Sequence, residues 1–379
     1  MNNIFKLHEP SFTSRLTDLI IELDHLRRKE LRGTTPTAIF FQLKAIFHML
    51  ESIGSARIEG NRTTIAEYIE TKLDIASNSS QSIKEIDNML QTIEMIDEYI
   101  QDAPINKTFI SQIHQKVVEG LLPPPDGEGD YTPGAYRQKL VTIQKSKHKP
   151  PDFTQINDYM DNLIEFINCD VPSKYDLIKV AQAHHQFVWI HPFTNGNGRT
   201  VRILTYAMLV KYDFKVNKGR ILNPSAIFCI DRDKYYDYLS MADSGTESGI
   251  NQWCEYVLDG LKNEISKIDN LSDYSFLKEK ILKPALKYSL ERQLINKDEF
   301  SILNIAVDKK VIQASDINFV FQNKQPPEVS RQIKKLIKKK MLTPIEEKGR
   351  RYVMSFDNNY LLRGVIKSLE DNGFVSFKD

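Results

Sequence analysis

Long apolar runs are missing from the 379-residue sequence. No segment approaches the roughly 18 consecutive apolar residues that a membrane-spanning helix needs, so the sequence predicts no membrane partner. The N-terminal stretch, MNNIFKLHEPSFTSRL, also lacks a continuous apolar segment behind basic residues. We therefore expect no signal peptide and a soluble, cytoplasmic protein.

An excess of charge of either sign is also absent. The chain has 51 basic and 50 acidic residues, for a formal net charge of +1. No global field therefore favours nucleic acid or a membrane, and any nucleic-acid binding must come from a local patch. The three cysteines, Cys169, Cys229 and Cys254, are an odd number without metal-type pairing. That usage suits a reducing compartment.

Most segments repeat apolar residues every three or four positions, which predicts a mainly α-helical fold. One such stripe runs over 39–53, and Gly60 provides a stop because glycine readily adopts the left-handed conformation after a helix. Thr64 and Glu67 have the spacing of a capping box that begins the next helix. Further helices are predicted at about 82–101 and 106–120, from Ser173 to 190, and from Thr200 onward.

Two segments interrupt the helical pattern. LLPPPDGEGDYTPG, residues 121–134, contains proline and glycine at a density that excludes regular structure. Val141 and Ile143 then alternate with polar residues, and 145–149 provide a turn, which predicts a hairpin or an extended flap.

The stretch HPFTNGNGRT, residues 191–200, combines groups with complementary chemistry. His191 is able to accept a proton near neutral pH. Gly196 and Gly198 allow the backbone to approach a ligand, and the helix that follows favours an anion at its first turn. Arg199 and Arg202 lie three apart, on one helical face, and guanidinium groups suit phosphate oxygens. The set predicts a base beside a phosphate-binding cradle.

Two other interpretations of this stretch are open. A Gly/Asn-rich turn between two helices is common, and a His-Pro pair can simply end a helix. A metal site at His184, His185 and His191 is disfavoured, because a spacing of six is a poor helical ligand pair and no carboxylate or cysteine joins them. We expect His184 and His185 to be packed or hydrogen-bonded helix residues.

HPFTNGNGR resembles the signature of the Fic family, His-Pro-Phe-x-(Asp/Glu)-Gly-Asn-(Gly/Lys)-Arg. The resemblance extends over roughly 105–262. PGAYRQKLVTIQ with HKPPDF is similar to the target-docking flap of the family, AHHQFVWI to the helix before the motif, and NPSAIFCIDRDKYYDYL to the segment after it. It implies a Fic-type helical core with a short β-hairpin flap.

Fic proteins typically transfer AMP from ATP to a side-chain hydroxyl of a protein and release pyrophosphate. The resemblance implies that His191 deprotonates a Ser, Thr or Tyr hydroxyl of a protein target, the protein itself included. A target segment at the flap would pair as an added β-strand. The residues implied at the nucleotide are Phe193 as loop anchor, Gly196, Asn197 and Gly198 as anion hole, Arg199 and Arg202 at the phosphates, and Tyr235 and Tyr236 near the adenine, where either is alternatively a core aromatic.

Asn195 departs from the family motif, in which a carboxylate at this position ligates Mg²⁺. An asparagine oxygen can coordinate the ion, but without negative charge, so metal affinity and rate should fall. Three interpretations stay open: a slower transferase, a transferase of altered donor preference, or a nucleotide-binding protein with little activity. Deamidation of the Asn195-Gly196 pair, which would create an aspartate, is a further hypothesis.

SARIEGN, residues 55–61, resembles the inhibitory motif of the family, (Ser/Thr)-x-x-x-Glu-(Gly/Asn). The resemblance assigns Ser55, Glu59, Gly60 and Asn61 to this motif and implies an ion pair between Glu59 and Arg202 that occupies the space of the ATP γ-phosphate. Taken without the resemblance, a solvated charge at a helix end is the favoured interpretation of Glu59. Some family members use this glutamate to direct water, so removal of AMP is another alternative.

From about residue 296, three helices and a basic hairpin joined at Lys348-Gly349 have the order of a winged helix-turn-helix. Arg331, Lys334, Lys335 and Lys338 are the candidate DNA contacts on its third helix, with Lys348, Arg350 and Arg351 on the wing. A protein-docking winged helix is the alternative, and a DNA-binding regulator with a degenerate Fic domain is the competing function. A homodimer is left open.

The predicted domains are 1–104 with the inhibitory helix, a Fic core at 105–262, a helical linker at 263–295, and the winged helix at 296–379.

Overall fold

The computed structural model describes residues 5–28, 33–73, 80–143, 148–214, 221–321, 326–346, 349–357, 359–375 and 377. These residues are mainly helical. The α-helices are α1 (Arg15–Arg28), α2 (Thr37–Glu59), α3 (Ile65–Leu73), α4 (Gln81–Tyr99), α5 (Lys107–Val117), α6 (Ile156–Asn168), α7 (Asp176–Ile190), α8 (Asn197–Lys211), α9 (Ser225–Cys229), α10 (Arg232–Asp243), α11 (Glu247–Asp269), α12 (Tyr274–Phe276), α13 (Lys283–Glu291), α14 (Lys297–Lys309), α15 (Pro326–Lys338) and α16 (Leu361–Asp371). Short 3-10 helices cover Phe153–Gln155, Ser173–Tyr175, Asn270–Ser272 and Ala314–Phe321, and a π-helical segment, Leu277–Leu282, joins α12 to α13.

The chain divides into two compact units. The first contains Met1–Glu30, His48–Thr63 and Ser79–Ser266, and the second contains Leu31–Phe47, Thr64–Asn78 and Lys267–Asp379. Each unit combines stretches that are distant along the chain. The four domains predicted from the sequence stay a prediction.

The helix boundaries predicted around residues 60–64 are confirmed. Helix α2 ends at Glu59, and Gly60 follows with φ of 108°, a conformation that glycine adopts without strain. At the start of α3, the Thr64 hydroxyl accepts from the Glu67 amide at 3.1 Å, and the Glu67 carboxylate accepts from the Thr64 amide at 2.8 Å. This reciprocal pair is a capping box.

The core of the first unit is centred on α7 and α8, against which α4, α5 and α6 pack. Helices α7 and α8 are buried on almost every side, since even Lys179, Gln182 and Thr205 are shielded from solvent. The loop that joins these two helices is therefore supported by close-packed side chains on both flanks. That loop contains the candidate site.

The second unit has the element order predicted for its C-terminal part. Helix α14, the 3-10 helix Ala314–Phe321 and α15 precede two antiparallel strands, β1 (Leu342–Pro344) and β2 (Tyr352–Met354), in which Leu342 lies opposite Met354. Lys348, in the predicted turn, lies outside the described residues. The final helix, α16, packs against α13 and was not predicted. The winged-helix assignment itself stays a prediction.

No strand is present at residues 141–143 or at the described residues that follow, 148–150. Residues 144–147, where the predicted flap would turn, lie outside the described part of the chain. The interpretation as a paired hairpin at this place therefore stays a prediction.

Candidate active site

His191 caps the C-terminus of α7 in a left-handed conformation, with φ of 51° and its amide bonded to the Phe187 carbonyl. This conformation is uncommon for a residue with a side chain and needs support from its surroundings. Arg137 provides that support: its Nε donates to the His191 carbonyl at 2.8 Å, and its amide donates to the Pro192 carbonyl at 2.9 Å. Sequence reasoning did not single out Arg137, although the PGAYR segment contains it.

Burial lowers the pKa of His191 to about 4, and the charge of Arg137 acts in the same direction. The imidazole is therefore neutral at pH 7. A neutral imidazole has a lone pair with which to accept a proton, as a general base must.

The loop after His191 is fixed by Asn197 and His114. The Asn197 side chain accepts from the Phe193 amide and donates to the Phe193 carbonyl, each at 2.9 Å. The Phe193 ring stacks on His114 with centroids 3.7 Å apart. His114 also contacts the Asn195 carbonyl through Nε2 at 3.0 Å and accepts from the Gly134 amide through Nδ1 at 2.9 Å. Phe193 is thus a loop anchor, while His114 is a supporting residue that sequence reasoning missed.

Helix α8 begins at Asn197, so the amides of its first turn have no partners within the helix. Gly196 precedes it with φ of 73°. At Gly198 an added Cβ would lie 2.1 Å from Glu59 Oε1 and 3.1 Å from Arg202 Nη1. Glu59 therefore places a carboxylate oxygen directly against the start of α8, where an anion is electrostatically favoured.

The ion pair predicted between Glu59 and Arg202 is present, with Oε1 and Nη2 2.7 Å apart. Ser55 completes the contact, because its hydroxyl accepts from Arg202 Nε at 2.7 Å and its carbonyl accepts from Nη2 at 3.0 Å. Burial opposes ionisation of Glu59, but the charges of Arg202 and Arg199 outweigh it and lower the pKa of this carboxyl. The Arg202 guanidinium is thus occupied by α2.

Arg199 is occupied by different residues. Its Nη1 lies 2.9 Å from the Glu85 carboxylate, and its Nη2 donates to the Glu128 carbonyl at 2.6 Å. Glu85 also accepts from Asn61 Nδ2 at 2.7 Å. Asn61 of the predicted inhibitory motif therefore contacts Arg199 through Glu85, while Gly60 serves to end α2. Glu85 and Glu128 lie in a helix and a Pro/Gly loop that carried no signal pointing to this site.

Asn195 is held by the loop 121–134. Its amide donates to the Asp130 carboxylate at 3.0 Å, and its Nδ2 donates to the Gly129 carbonyl at 3.1 Å. The Glu128 carboxylate lies 3.4 Å from the same Nδ2. The oxygens around Asn195 are therefore two carboxylates and a carbonyl. Such oxygens, together with phosphates, are the ligands that Mg²⁺ prefers. Within the described ranges, no three His, Cys, Asp or Glu side chains form a metal-binding group by themselves.

Tyr235 and Tyr236 differ in their surroundings. Tyr235 is buried, and its hydroxyl is 2.9 Å from His184 Nε2, whereas Tyr236 is 37% exposed. His184 also contacts the Thr205 hydroxyl at 2.8 Å, and His185 pairs with Asp243 at 2.9 Å. The prediction that His184 and His185 are packed or hydrogen-bonded is confirmed. Tyr235 has the packing of a core aromatic.

The candidate DNA contacts in the second unit lie on α15. Arg331, Lys334, Lys335 and Lys338 are all exposed. Arg331 pairs with Glu328 at 3.0 Å, and Lys335 pairs with Glu299 at 3.2 Å. Their charge is therefore partly balanced by acidic neighbours.

Residues 104–209 match the model of the Fic/DOC family. This range contains His191, the start of α8 and the loop that holds Asn195. This segment of the chain is therefore similar to a Fic domain. The match begins one residue before the predicted Fic core of 105–262 and ends at residue 209, so the predicted extension to 262 stays a prediction.

Curated relatives agree with this assignment. The chain is 30% identical over 210 residues to a protein adenylyltransferase Fic of Aedes aegypti, and 28% identical over 197 residues to one of Nematostella vectensis. These alignments cover 53% and 50% of this chain but only 37% and 42% of the relatives. The chain thus spans less than half the length of the curated relatives it matches.

Solved structures share the fold. A Fic family protein from Desulfovibrio desulfuricans superimposes with a TM-score of 0.56 at 17% identity, over 93% of this chain and 98% of that one. A Bacteroides thetaiotaomicron protein that contains a Fic domain gives a TM-score of 0.53 over 68% of this chain and 98% of that one, also at 17% identity.

Among the described residues, no helix combines the length and apolar character required to cross a membrane.

Proposed function

We propose that this protein is an adenylyltransferase that transfers AMP from ATP to a Ser, Thr or Tyr hydroxyl of a protein, and that Glu59 restrains it. The observation that carries the proposal is the carboxylate of Glu59 against Gly198 and Arg202. The first turn of α8 favours an anion, and the Glu59 carboxylate lies against it. The printed names of the Aedes and Nematostella relatives support the reaction type.

The groups around the cradle have the chemistry that this reaction requires. His191, neutral at pH 7 because burial lowers its pKa, accepts the proton of the attacking hydroxyl. The hydroxyl oxygen bonds to the α-phosphorus while the bond to pyrophosphate breaks. The free amides at the start of α8 stabilise charge on the phosphate oxygens without reorganising. Arg199 and Arg202 orient the phosphates.

Mg²⁺, when bound with ATP, would neutralise phosphate charge and favour departure of pyrophosphate. Asn195 and Glu128 are the residues of this chain that would face the ion. Asn195 contributes a neutral oxygen, so the first of its three interpretations, a slowed transferase, fits the proposal.

Inhibition follows from the position of Glu59. Arg202 donates to Ser55 and Glu59, so its guanidinium is not available to the terminal phosphate. A phosphate entering beside Gly198 would also meet the Glu59 carboxylate, a like charge. ATP would therefore bind poorly, or bind with its triphosphate misplaced for in-line attack.

The experiment compares labelling of the full-length wild-type protein with three variants, using ATP that carries the label on its α-phosphate. Glu59→Gly should raise auto-modification at least tenfold, because Arg202 becomes available. His191→Ala and Glu59→Gly/His191→Ala should show none. Intact mass should rise by one AMP for each label incorporated.

Each of two results would reject part of the proposal. Equal labelling of wild type and Glu59→Gly removes the inhibitory role. Labelling that persists in Glu59→Gly/His191→Ala removes His191 from the base role. Loss of label from a modified protein, faster in wild type than in Glu59→Gly, would instead favour AMP removal, with Glu59 directing water.

DNA binding by the second unit is a separate candidate function, favoured by the exposed Lys334 and Lys338 on α15. Lys334→Ala/Lys338→Ala should weaken binding of the full chain to duplex DNA and lower the salt slope by about two, one for each lost phosphate contact. Lys287→Ala/Lys297→Ala removes two exposed lysines elsewhere in this unit as a matched control. Binding that is insensitive to salt would argue against this mode.

A further inference from the structure

The candidate site lacks a carboxylate at the position that faces the metal in the family motif. Asn195 occupies this position, and its side-chain oxygen is a metal ligand without negative charge. Magnesium held by nucleotide phosphates commonly has one or two protein carboxylates as well. The question is whether another segment of the chain supplies such a group.

The loop 121–134 reaches the site through three successive residues. The Glu128 carbonyl accepts from Arg199, the Gly129 carbonyl accepts from Asn195 Nδ2, and the Asp130 carboxylate accepts from the Asn195 amide. The loop is therefore attached to both ends of the 195–199 turn, and its acidic side chains lie beside that turn.

The two carboxylates of this loop are in different situations. Asp130 is buried and already accepts from the amides of Asn195 and Thr132, while His114 lies 3.7 Å away. Glu128 has a side chain that is 47% exposed, and its Oε2 lies 3.5 Å from Arg199 and 3.4 Å from Asn195 Nδ2. Both contacts are longer than ordinary charge-assisted hydrogen bonds. Asp130 is thus engaged in holding the loop, and Glu128 keeps oxygens available.

Glycines on either side of Glu128 explain how it reaches this place. A Cβ at Gly127 would lie 2.5 Å from the Leu122 carbonyl oxygen, and one at Gly129 would lie 2.2 Å from the Leu121 carbonyl oxygen. The loop therefore folds back on itself with backbone against backbone, which only glycine permits at these two positions. The sequence GEG presents a single carboxylate at the tip of a close-packed turn.

We infer that Glu128 supplies the carboxylate ligand of the nucleotide-bound Mg²⁺ in place of the acid missing at position 195. Two observations support it together. Glu128 Oε2 lies within 3.5 Å both of the side chain at the metal-facing position and of Arg199, which the proposed function places at the phosphates. The inference rests on the proposed function, since it requires ATP at this cradle.

The test measures ATP binding by calorimetry rather than turnover. The parent is the full chain with Glu59→Gly and His191→Ala, which frees Arg202 and prevents transfer. The Kd for ATP is measured in EDTA and in excess MgCl₂, and the Kd in EDTA divided by the Kd in MgCl₂ reports the contribution of the metal. Glu128→Gln should reduce this ratio at least about tenfold, since even the loss of a residue that only supports a metal ligand has an effect of this size. Asp126→Asn, an exposed acid in the same loop, should leave it unchanged.

A rescue variant makes the test specific. Asn195→Asp restores the acid of the family motif, so Glu128→Gln/Asn195→Asp should recover the ratio of the parent. A ratio unaffected by Glu128→Gln overturns the inference. The ratio also stays unaffected if Kd changes equally in MgCl₂ and in EDTA. That result would mean that Glu128 acts on ATP only through Arg199.

The same experiment distinguishes rejection of the proposed function from rejection of the inference about Glu128. If the parent binds no ATP in either condition, the proposed function is rejected and the inference with it. If the parent binds ATP equally well with and without Mg²⁺, the inference alone is overturned.

Discussion

Arg199 and Arg202 lie one turn apart on α8, and both are fully buried, yet the carboxylates that pair with them differ. The Glu85 side chain is only 4% exposed, and burial raises its pKa although Arg199 and Asn61 act in the opposite direction. The Glu59 side chain is 27% exposed, and its pKa is lowered. Desolvation outweighs pairing in the first case, and pairing outweighs desolvation in the second.

The difference indicates which arginine can be released. When Glu59 leaves Arg202, its carboxylate can become hydrated, because it already lies near solvent at the end of α2. Glu85 lies within α4 and would stay desolvated without Arg199. Under the proposed function, a contact that opens to admit ATP is therefore better placed at Arg202, and Arg199 is better suited to a fixed orientation.

The largest expected effect distinguishes the two arginines by stability. Arg199→Met leaves Glu85 buried with Asn61 but without a positive charge beside it, so at pH 7 we expect the carboxyl to take up a proton. For a carboxyl with an ordinary pKa of 4.5 this costs about 3 kcal/mol. Arg202→Met should cost less, because Glu59 can turn to water. Urea unfolding at pH 7 measures both.

The pH dependence of these variants provides the internal check. In Arg199→Met the folded state binds a proton that the unfolded state does not hold at pH 7, so the cost should shrink as the pH falls toward 5. An Arg202→Met variant that is equally or more destabilised at pH 7 would contradict the comparison.

A smaller effect compares the two glutamates. The pKa of Glu59 is lowered on folding, so its ionised form stabilises the protein above the unfolded pKa, and this stabilisation is lost as the pH falls through the folded pKa. Glu59→Gln should cost about 1 kcal/mol at pH 7 and much less at pH 3. The pKa of Glu85 is raised, so Glu85→Gln, which resembles the protonated acid, should cost less at pH 7 than Glu59→Gln. Chemical denaturation across this pH range would reveal a reversed order.

The smallest effect concerns Ser55, which accepts two hydrogen bonds from Arg202, one through its hydroxyl. Ser55→Ala removes only the hydroxyl contact, worth about 1 kcal/mol, so auto-labelling should rise about fivefold over wild type and stay below Glu59→Gly. Ser52→Ala is a matched control, since the Ser52 hydroxyl bonds only to the His48 carbonyl of its own helix. Equal labelling of the two alanine variants would exclude a role for Ser55 in holding Arg202.

Much of the fold was predictable from local signals. Gly60, the Thr64–Glu67 capping box and the apolar stripes determine helix ends and faces within a few residues of one another, so their positions follow from the sequence. The order of α14, α15, β1 and β2 followed in the same way. Helix α16 was not predicted, although its apolar residues recur at helical spacing: Leu361, Leu362, Val365, Ile366 and Leu369.

The residues of the candidate site also fall into two groups, those in short sequence motifs and those brought in by distant contacts. His191, the glycines, both arginines, and Ser55 with Glu59 lie in two short motifs, and the resemblance of these motifs to those of the Fic family made them candidates. His114, Arg137 and Asp130 were missed, because each acts by contacting a residue that is distant in the sequence. Nothing in their immediate neighbours signals such a contact.

The sequence by itself determined where many of the helices begin and end, and its two Fic-like motifs indicated which turn holds the candidate site and which glutamate pairs with Arg202. Only the tertiary structure decided that Glu85 holds Arg199, that Arg137 stabilises the left-handed His191, and that Glu128 lies beside Asn195. The physical reason is range. Capping, periodicity and turn chemistry act over a few residues, whereas burial and charge pairing depend on which distant segments the fold brings within about 4 Å.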